Sequence, residues 1–153
     1  MSSEYLNALG IPLKQGRFFT QFDRAGAPLV VVINETMARR YFPNENPLGK
    51  RLVVSWATNE TREIVGVIGD VLNKGLHTEP RAEMIVPHQQ SASAQMTFLV
   101  RTKTEPNSQL AAVKQAIREI NPRQTFARTV TMEEVVADSL KQRRFNLFLL
   151  GLF

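Results

Sequence analysis

A charged helical stretch runs straight into a wholly apolar one near residue 145. Lys141-Gln142-Arg143-Arg144 leads into Phe145-Asn146-Leu147-Phe148-Leu149-Leu150-Gly151-Leu152-Phe153, in which seven positions are large and apolar. Left exposed on a soluble domain, such a run is an apolar patch that water disfavours. It needs a protein core or a bilayer. A bilayer crossing takes about 20 apolar residues, and this run supplies roughly half of that length. The expectation is that residues 141–153 begin a transmembrane helix that continues the helix before it. The competing expectation is a helix folded back onto the core.

That constraint changes how the charge is read. The chain carries 19 Lys and Arg against 14 Asp and Glu, a formal charge of +5, with a pI near 10.0. Three of the basic residues are Lys141, Arg143 and Arg144, so residues 1–140 hold 16 basic against 14 acidic side chains. Those 16 are scattered, with short pairs at Arg39-Arg40 and Lys50-Arg51. This is a solvated surface rather than the stripe that tracks a phosphate backbone, so no nucleic-acid partner is expected. A chain of 153 residues with 43% hydrophobic content suits one ordinary domain or two small ones with a real core. Cysteine is absent, which excludes disulfides, thiolate catalysis and cysteine-ligated zinc. Met1 to Leu13 shows no basic stretch ahead of an apolar core, so it does not read as a secretory signal. Work outside the cytoplasm would rely on an export signal elsewhere in the polypeptide.

Local patterns divide the chain. Ser2 or Ser3 is placed to cap a short helix that Gly10 stops, with Glu4 in its first turn. Gly10-Ile11-Pro12 turns it into an extended segment. Leu29 to Asn34 is a continuous β-branched run and reads as a buried strand. Asn34 can cap the helix Glu35–Phe42, which Pro43 ends. Lys50–Ser55 and Arg62–Val71 read as strands around a hairpin tip at Thr58-Asn59-Glu60-Thr61. Residues 72–81 are polar and loop-like. Met84–Pro87 is a short strand and Met96–Thr102 a longer one. Asn107 or Ser108 is placed to cap a helix over Gln109–Ile120, whose Leu110, Val113, Ile117 and Ile120 recur at helical spacing and read as core. Thr125–Val130 reads as a strand. Thr131 and Glu134 form a capping box for a last helix. The second half thus predicts a βαβ unit with a right-handed crossover. The whole predicts an α+β chain of two subdomains joined within 72–83.

Catalytic patterns are scarce. His77 and His88, with Asp70, Glu79 and Glu83, could be imagined as a metal site of two histidines and a carboxylate. Their spacing matches no ligand motif on a helix or hairpin, and surface histidines are the plainer reading. Gly66-Val67-Ile68-Gly69 lacks the GxG of a dinucleotide fingerprint. It predicts a twisted or bulged strand where another backbone comes close. Leu48-Gly49-Lys50-Arg51 lacks the rest of a phosphate loop and reads as a turn entering a strand. Trp56 lies beside the hairpin tip, either half-buried or exposed as a contact residue. No catalytic, cofactor-binding or metal-ligating residue is assigned, and no cofactor is expected.

Five segments together resemble one family. They are Tyr5–Leu13 with Gly16-Arg17-Phe18-Phe19-Thr20 and Asp23; Val32–Pro43; Asn46–Arg51; Ile64–Val71; and Val136–Leu140 with Gln142–Asn146. Each is unspecific by itself, but in this order they resemble the MacB-like periplasmic core domain of MacB/FtsX-like ABC transporter permeases. The duplicated orphan permeases are the most similar type. The resemblance implies a β-rich sabre-like subdomain over 1–73, the second half of a porter-like βαβ subdomain over 74–140, and the start of a transmembrane helix over 141–153. It implies an extracytoplasmic, periplasmic domain of a cell-membrane permease. Such a domain couples conformational change between membrane helices and an external partner or substrate, in mechanotransmission or efflux. ATP hydrolysis would belong to a separate ATP-binding subunit. An envelope protein partner and a homodimer of the full-length permease are compatible with it, and the C-terminal helix is the contact with the membrane. An envelope binding or sensing domain without transport is the alternative. An unrecognised hydrolase is a more distant one.

Overall fold

The computed structural model describes residues 1–54, 60–72, 79–91, 93 and 95–140. The chain falls into two compact units. The first comprises Met1–Val71 and Glu79–Leu99, the second Leu72–Thr78 and Val100–Phe153.

The first unit is a mixed five-stranded sheet with helices. Its elements are α1 (Tyr5–Leu9), β1 (Leu13–Gly16), β2 (Val30–Asn34), α2 (Glu35–Tyr41), β3 (Arg51–Val54), β4 (Glu60–Ile68), β5 (Met84–Ile85) and a 3-10 turn at His88–Gln90. The strand order is β1-β4-β2-β5, with β3 also on β4. β4 is the longest strand and organises the sheet. β2 runs parallel to it over Val30–Asn34. On its other edge β3 pairs antiparallel with Glu60–Glu63, and β1 pairs antiparallel with Gly66–Ile68.

A β-bulge makes that change of partner possible. Val31 lies opposite Ile64 but Val32 lies opposite Gly66, so Val65 is the extra residue. Two successive carbonyls then serve one edge. Ile64 O accepts from the Gly49 N–H and Val65 O from the Arg17 N–H, both at 2.9 Å. The expectation of a bulged, closely approached strand at Gly66 therefore holds. A Cβ on Gly66 would lie 2.2 Å from Arg17 O, and one on Gly16, whose φ is +69°, would lie 2.3 Å from Val65 O.

β2 is buried along its full length, as its unbroken β-branched run predicts for a strand covered on both faces. Val30 and Val32 point to one face and pack with Leu6, Phe19 and Ile68. Val31 and Ile33 point to the other and pack with Met37, Ile64 and Val67. The fully buried side chains of Val31, Val32, Ile33, Ile64 and Ile68 contribute about 1.5–3 kcal/mol each. The core expected around Val30–Ile33 and Ile64–Ile68 is the observed one.

Several local expectations are corrected. The α1 cap is Glu4, which makes no side-chain capping bond, rather than Ser2 or Ser3; Gly10 closes the helix with φ +68°. A parallel connection that includes a helix is present, but in the first unit, from β2 through α2 and β3 to β4. The strands expected at Met96–Thr102 and Thr125–Val130 form no ladder. An alternating or β-branched run becomes a strand only with a neighbour to take its backbone hydrogen bonds, and no described strand lies beside either. The βαβ unit expected there is thus reduced to its helix.

That helix, α3, spans Pro106–Ile120. Its cap is Glu105, whose carboxylate accepts from the Asn107 and Ser108 N–H groups at 3.0 and 2.8 Å, with Pro106 in the first turn. The cap thus lies ahead of Asn107 and Ser108, because a proline preset for the first turn moves the start upstream. None of its side chains is buried, and Ile120 is 87% exposed. The expectation that this face is core is not met within the described residues. A further helix, α4, covers 132–140. Its capping box forms as expected: Glu134 N–H donates to Thr131 Oγ1 at 3.1 Å, and Thr131 N–H to the Glu134 carboxylate at 2.9 Å. Among the described residues no helix is long and apolar enough to cross a membrane. The expected start of a span, 141–153, lies outside the described residues, as do Trp56, His77 and the Thr58-Asn59 half of the hairpin tip, whose other half, Glu60-Thr61, begins β4.

Candidate functional site

Four of the five segments that carry the family resemblance lie in the first unit, and key polar residues in them are held in structural bonds. Arg17 leaves β1 and makes a two-pronged ion pair with Asp23, at 2.8 and 2.9 Å. The same carboxylate accepts from the Thr20 N–H at 2.7 Å and the Thr20 hydroxyl at 3.1 Å. Asp23 is 5% exposed. The Arg17 bonds hold its carboxyl below the ordinary range, against the opposing effect of burial and with help from Thr20. This arrangement fixes the loop after Thr20. The loop displays Phe22, 72% exposed, beside a shallow depression lined by Arg24, Ala25, Gly26 and Ala27.

The start of α2 is a second polar centre. Asn34 ends β2 and caps α2, its side-chain oxygen accepting from the Met37 N–H at 3.0 Å, as its position predicts. The same oxygen accepts from the Glu83 N–H at 2.9 Å, and the Asn34 amide donates to Arg81 O at 2.7 Å. Asp70, just past β4, accepts from the Thr36 N–H at 2.9 Å, the Thr36 hydroxyl at 2.8 Å and Arg39 at 3.1 Å. Burial pushes the Asp70 carboxyl up, but the Thr36 and Arg39 bonds together outweigh it and leave the pKa below its ordinary value.

A third centre is missed by sequence reasoning. Arg62 on β4 is 2% exposed. Its guanidinium donates to the Glu60 carboxylate at 2.6 Å, the Gln90 side-chain oxygen at 3.2 Å and Gln90 O at 3.2 Å. Gln90 also accepts from the Val30 N–H at 3.1 Å and donates to Pro28 O at 3.0 Å. The signal was present: Arg62 has the same alternating parity as the buried Ile64.

Of the imagined metal set, His77 lies outside the described residues, and the others have separate surroundings. Asp70 is committed to Thr36 and Arg39, Glu79 is exposed, and His88 Nδ1 lies 3.1 Å from Met1 O. Among the described residues no cluster of His, Asp and Glu could hold a metal ion. Leu48-Gly49-Lys50 is a turn, with Asn46 Oδ1 accepting from the Leu48 N–H at 3.1 Å and Gly49 at φ +78°.

The polar residues of these short motifs are engaged in hydrogen bonds that build the scaffold of the first unit. The chain belongs to the MacB-like periplasmic core domain family, whose model matches residues 1–120; this is a domain class of ABC transporter permeases. It is similar to the macrolide export ATP-binding/permease protein MacB of Aggregatibacter actinomycetemcomitans, 34% identical over 70 residues, which cover 46% of this chain and 10% of that protein. It is also similar to the uncharacterized ABC transporter permease YknZ of Bacillus subtilis (strain 168), 26% identical over 140 residues, 87% of this chain and 34% of that protein. The chain therefore spans about a third or less of the length of these curated relatives. Among solved structures it matches the periplasmic region of MacB from Actinobacillus actinomycetemcomitans. That match has a TM-score of 0.48 and 22% identity, and covers 77% of this chain and 53% of that one.

Proposed function

We propose that this chain is a non-enzymatic, mechanical module of a MacB/FtsX-like permease. It passes conformational change between membrane helices and an external partner or substrate, while a separate ATP-binding subunit hydrolyses ATP. The observation that carries the reading is the family match over 1–120 to a chain whose motif residues are spent on hydrogen bonds within the fold. In this reading the sabre-like part is centred on 1–73, with β5 added to its sheet. The porter-like part lies within 74–140, and its exposed helix face is covered in the full permease. Residues 141–153 enter the membrane, so that α4 joins the domain to the span.

The test is an insertion of two glycines between Ser139 and Leu140 in the full-length permease. A continuous helix is stiff, at 1.5 Å rise per residue, and each glycine weakens it by about 1 kcal/mol. Transport, or stimulation of the partner ATPase, falls while the domain stays folded. Full activity after insertion would leave α4 a mere tether and remove the mechanical reading.

A second reading, an envelope binding or sensing domain without transport, draws on one observation. Phe22 is an exposed aromatic on a loop pinned by the Arg17–Asp23 ion pair, the kind of rigid anchor that binding surfaces favour. Under it, Phe22→Ala abolishes association with an envelope partner, and no ATPase in the same membrane responds to the domain.

A further inference from the structure

The chain passes between the two units at three points: after Val71, after Thr78 and after Leu99. The first two lie on either side of one short excursion. Both are fastened, within the first unit, to neighbouring residues at the start of α2. Asp70 stands one residue before the outgoing connection and grips the start of α2 through the Thr36 N–H and hydroxyl and through Arg39. Arg81 and Glu83 stand just after the returning connection. Asn34, the α2 cap, holds them through Arg81 O, the Glu83 N–H and its own N–H to Glu83 O at 3.1 Å.

We propose that the start of α2 is a two-point clamp on the connections between the units, with Asp70 holding the outgoing strand end and Asn34 the returning one. The geometry favours a device over ordinary packing for two reasons. The ladder that β5 adds beyond the clamp is only two residue pairs long, Val32 with Ile85 and Ile33 with Met84, so it is a weak anchor by itself. And α2 is seated on the sheet through Met37 and Ala38, so whatever is tied to its first turn is tied to the buried strand β2. Asn34, Thr36 and Asp70 are positioning residues. They limit how far one unit moves against the other, and they pass a displacement of the connections directly into the core sheet. This use of the clamp rests on the mechanical reading above; the clamp itself does not, and it is tested without membrane or ATPase.

The chain has no cysteine, so cysteines introduced at Thr61 on β4 and Ala112 on α3 accept a unique pair of spin labels. The distance distribution between them is measured in the 153-residue chain, with amide exchange at Val31–Ile33 as the control. In Asp70→Ala the distribution broadens at least twofold, while the exchange of Val31–Ile33 stays within twofold of the parent. Thr36→Val removes the hydroxyl bond and keeps the carboxylate. It gives a smaller broadening, and serves in place of Asp70→Ala if that variant does not fold. An unchanged distribution overturns the proposal. So does a broadening accompanied by loss of protection at Val31–Ile33, since that reports general loosening. A permease that transports normally with a broadened distribution would sink the mechanical reading and leave the clamp standing.

Discussion

Gly66 leaves no room for even a methyl group, because its Cβ would meet a backbone carbonyl that cannot swing aside. Gly66→Ala is expected to cost about 1–3 kcal/mol through overpacking, read as a lower denaturant midpoint with an unchanged slope. An unaltered midpoint would mean that β1 and β4 are not in this register. Asp23, which is buried, and Asp70, which is half-buried, make a pH prediction. Asp23 and Asp70 both titrate below their ordinary value of 3.8. A depressed carboxyl contributes stability that is fully present above the unfolded pKa and is lost as pH falls through the folded one. The chain should therefore lose stability below about pH 4. Asp23→Asn, which removes the ion pair with Arg17, should flatten that loss when melting is followed against pH. A melting temperature as pH-dependent as the parent's would refute the assignment. At this scale the sequence is readable where a residue acts on near neighbours. Asn34 as a cap and Gly66 as a bulge glycine follow from adjacent residues. The burial of Arg62 follows from strand alternation with Ile64, but its partner does not, because Gln90 is 28 positions away.

β2 is the element most completely specified by its own residues, and the most sensitive. Ile33 is fully buried, and Ile33→Asp would place a charge there without a partner, at a cost of several kcal/mol. The first unit should then be unfolded by circular dichroism and amide exchange. Retention of the native melting temperature, with Val31→Asp equally silent, would mean that the strand and its burial are wrongly placed. By contrast, Met96–Thr102 and Thr125–Val130 carry equally plausible strand patterns and make no ladder. A helix closes its hydrogen bonds within itself and so survives as α3. A strand does not, and its state depends on what lies beside it.

The two units differ in how much they bury. Every fully buried hydrophobic side chain among the described residues belongs to the first unit, from Leu6 to Ile68. Amide exchange of the 153-residue chain should therefore show α3 opening well before β2 and β4, since local stability follows buried apolar contact. Equal protection in both units would contradict that division. Zinc and chelator provide a second whole-chain test. A metal bound only by the folded state would raise stability by several kcal/mol at saturation, and no shift in melting temperature is expected with either.

Much of the architecture was legible from local pattern. An unbroken β-branched run marks β2, the Asn34 cap marks α2 and the apolar period marks α3, the turn residues mark Gly10 and Gly49, and five short segments in order mark the family. Each of these depends on residues within a few positions, where propensity, capping and alternation act directly. Only the tertiary structure decided that β4 trades one neighbour for another at Val65, that Glu79–Leu99 returns to the first unit and adds β5 to its sheet, and that Asp70 and Asn34 meet at one helix start. Those outcomes depend on which distant segments close upon each other, and on whether an extended run finds a neighbour for its backbone. Local sequence leaves those pairings open, because the same residues satisfy their local preferences in more than one of them.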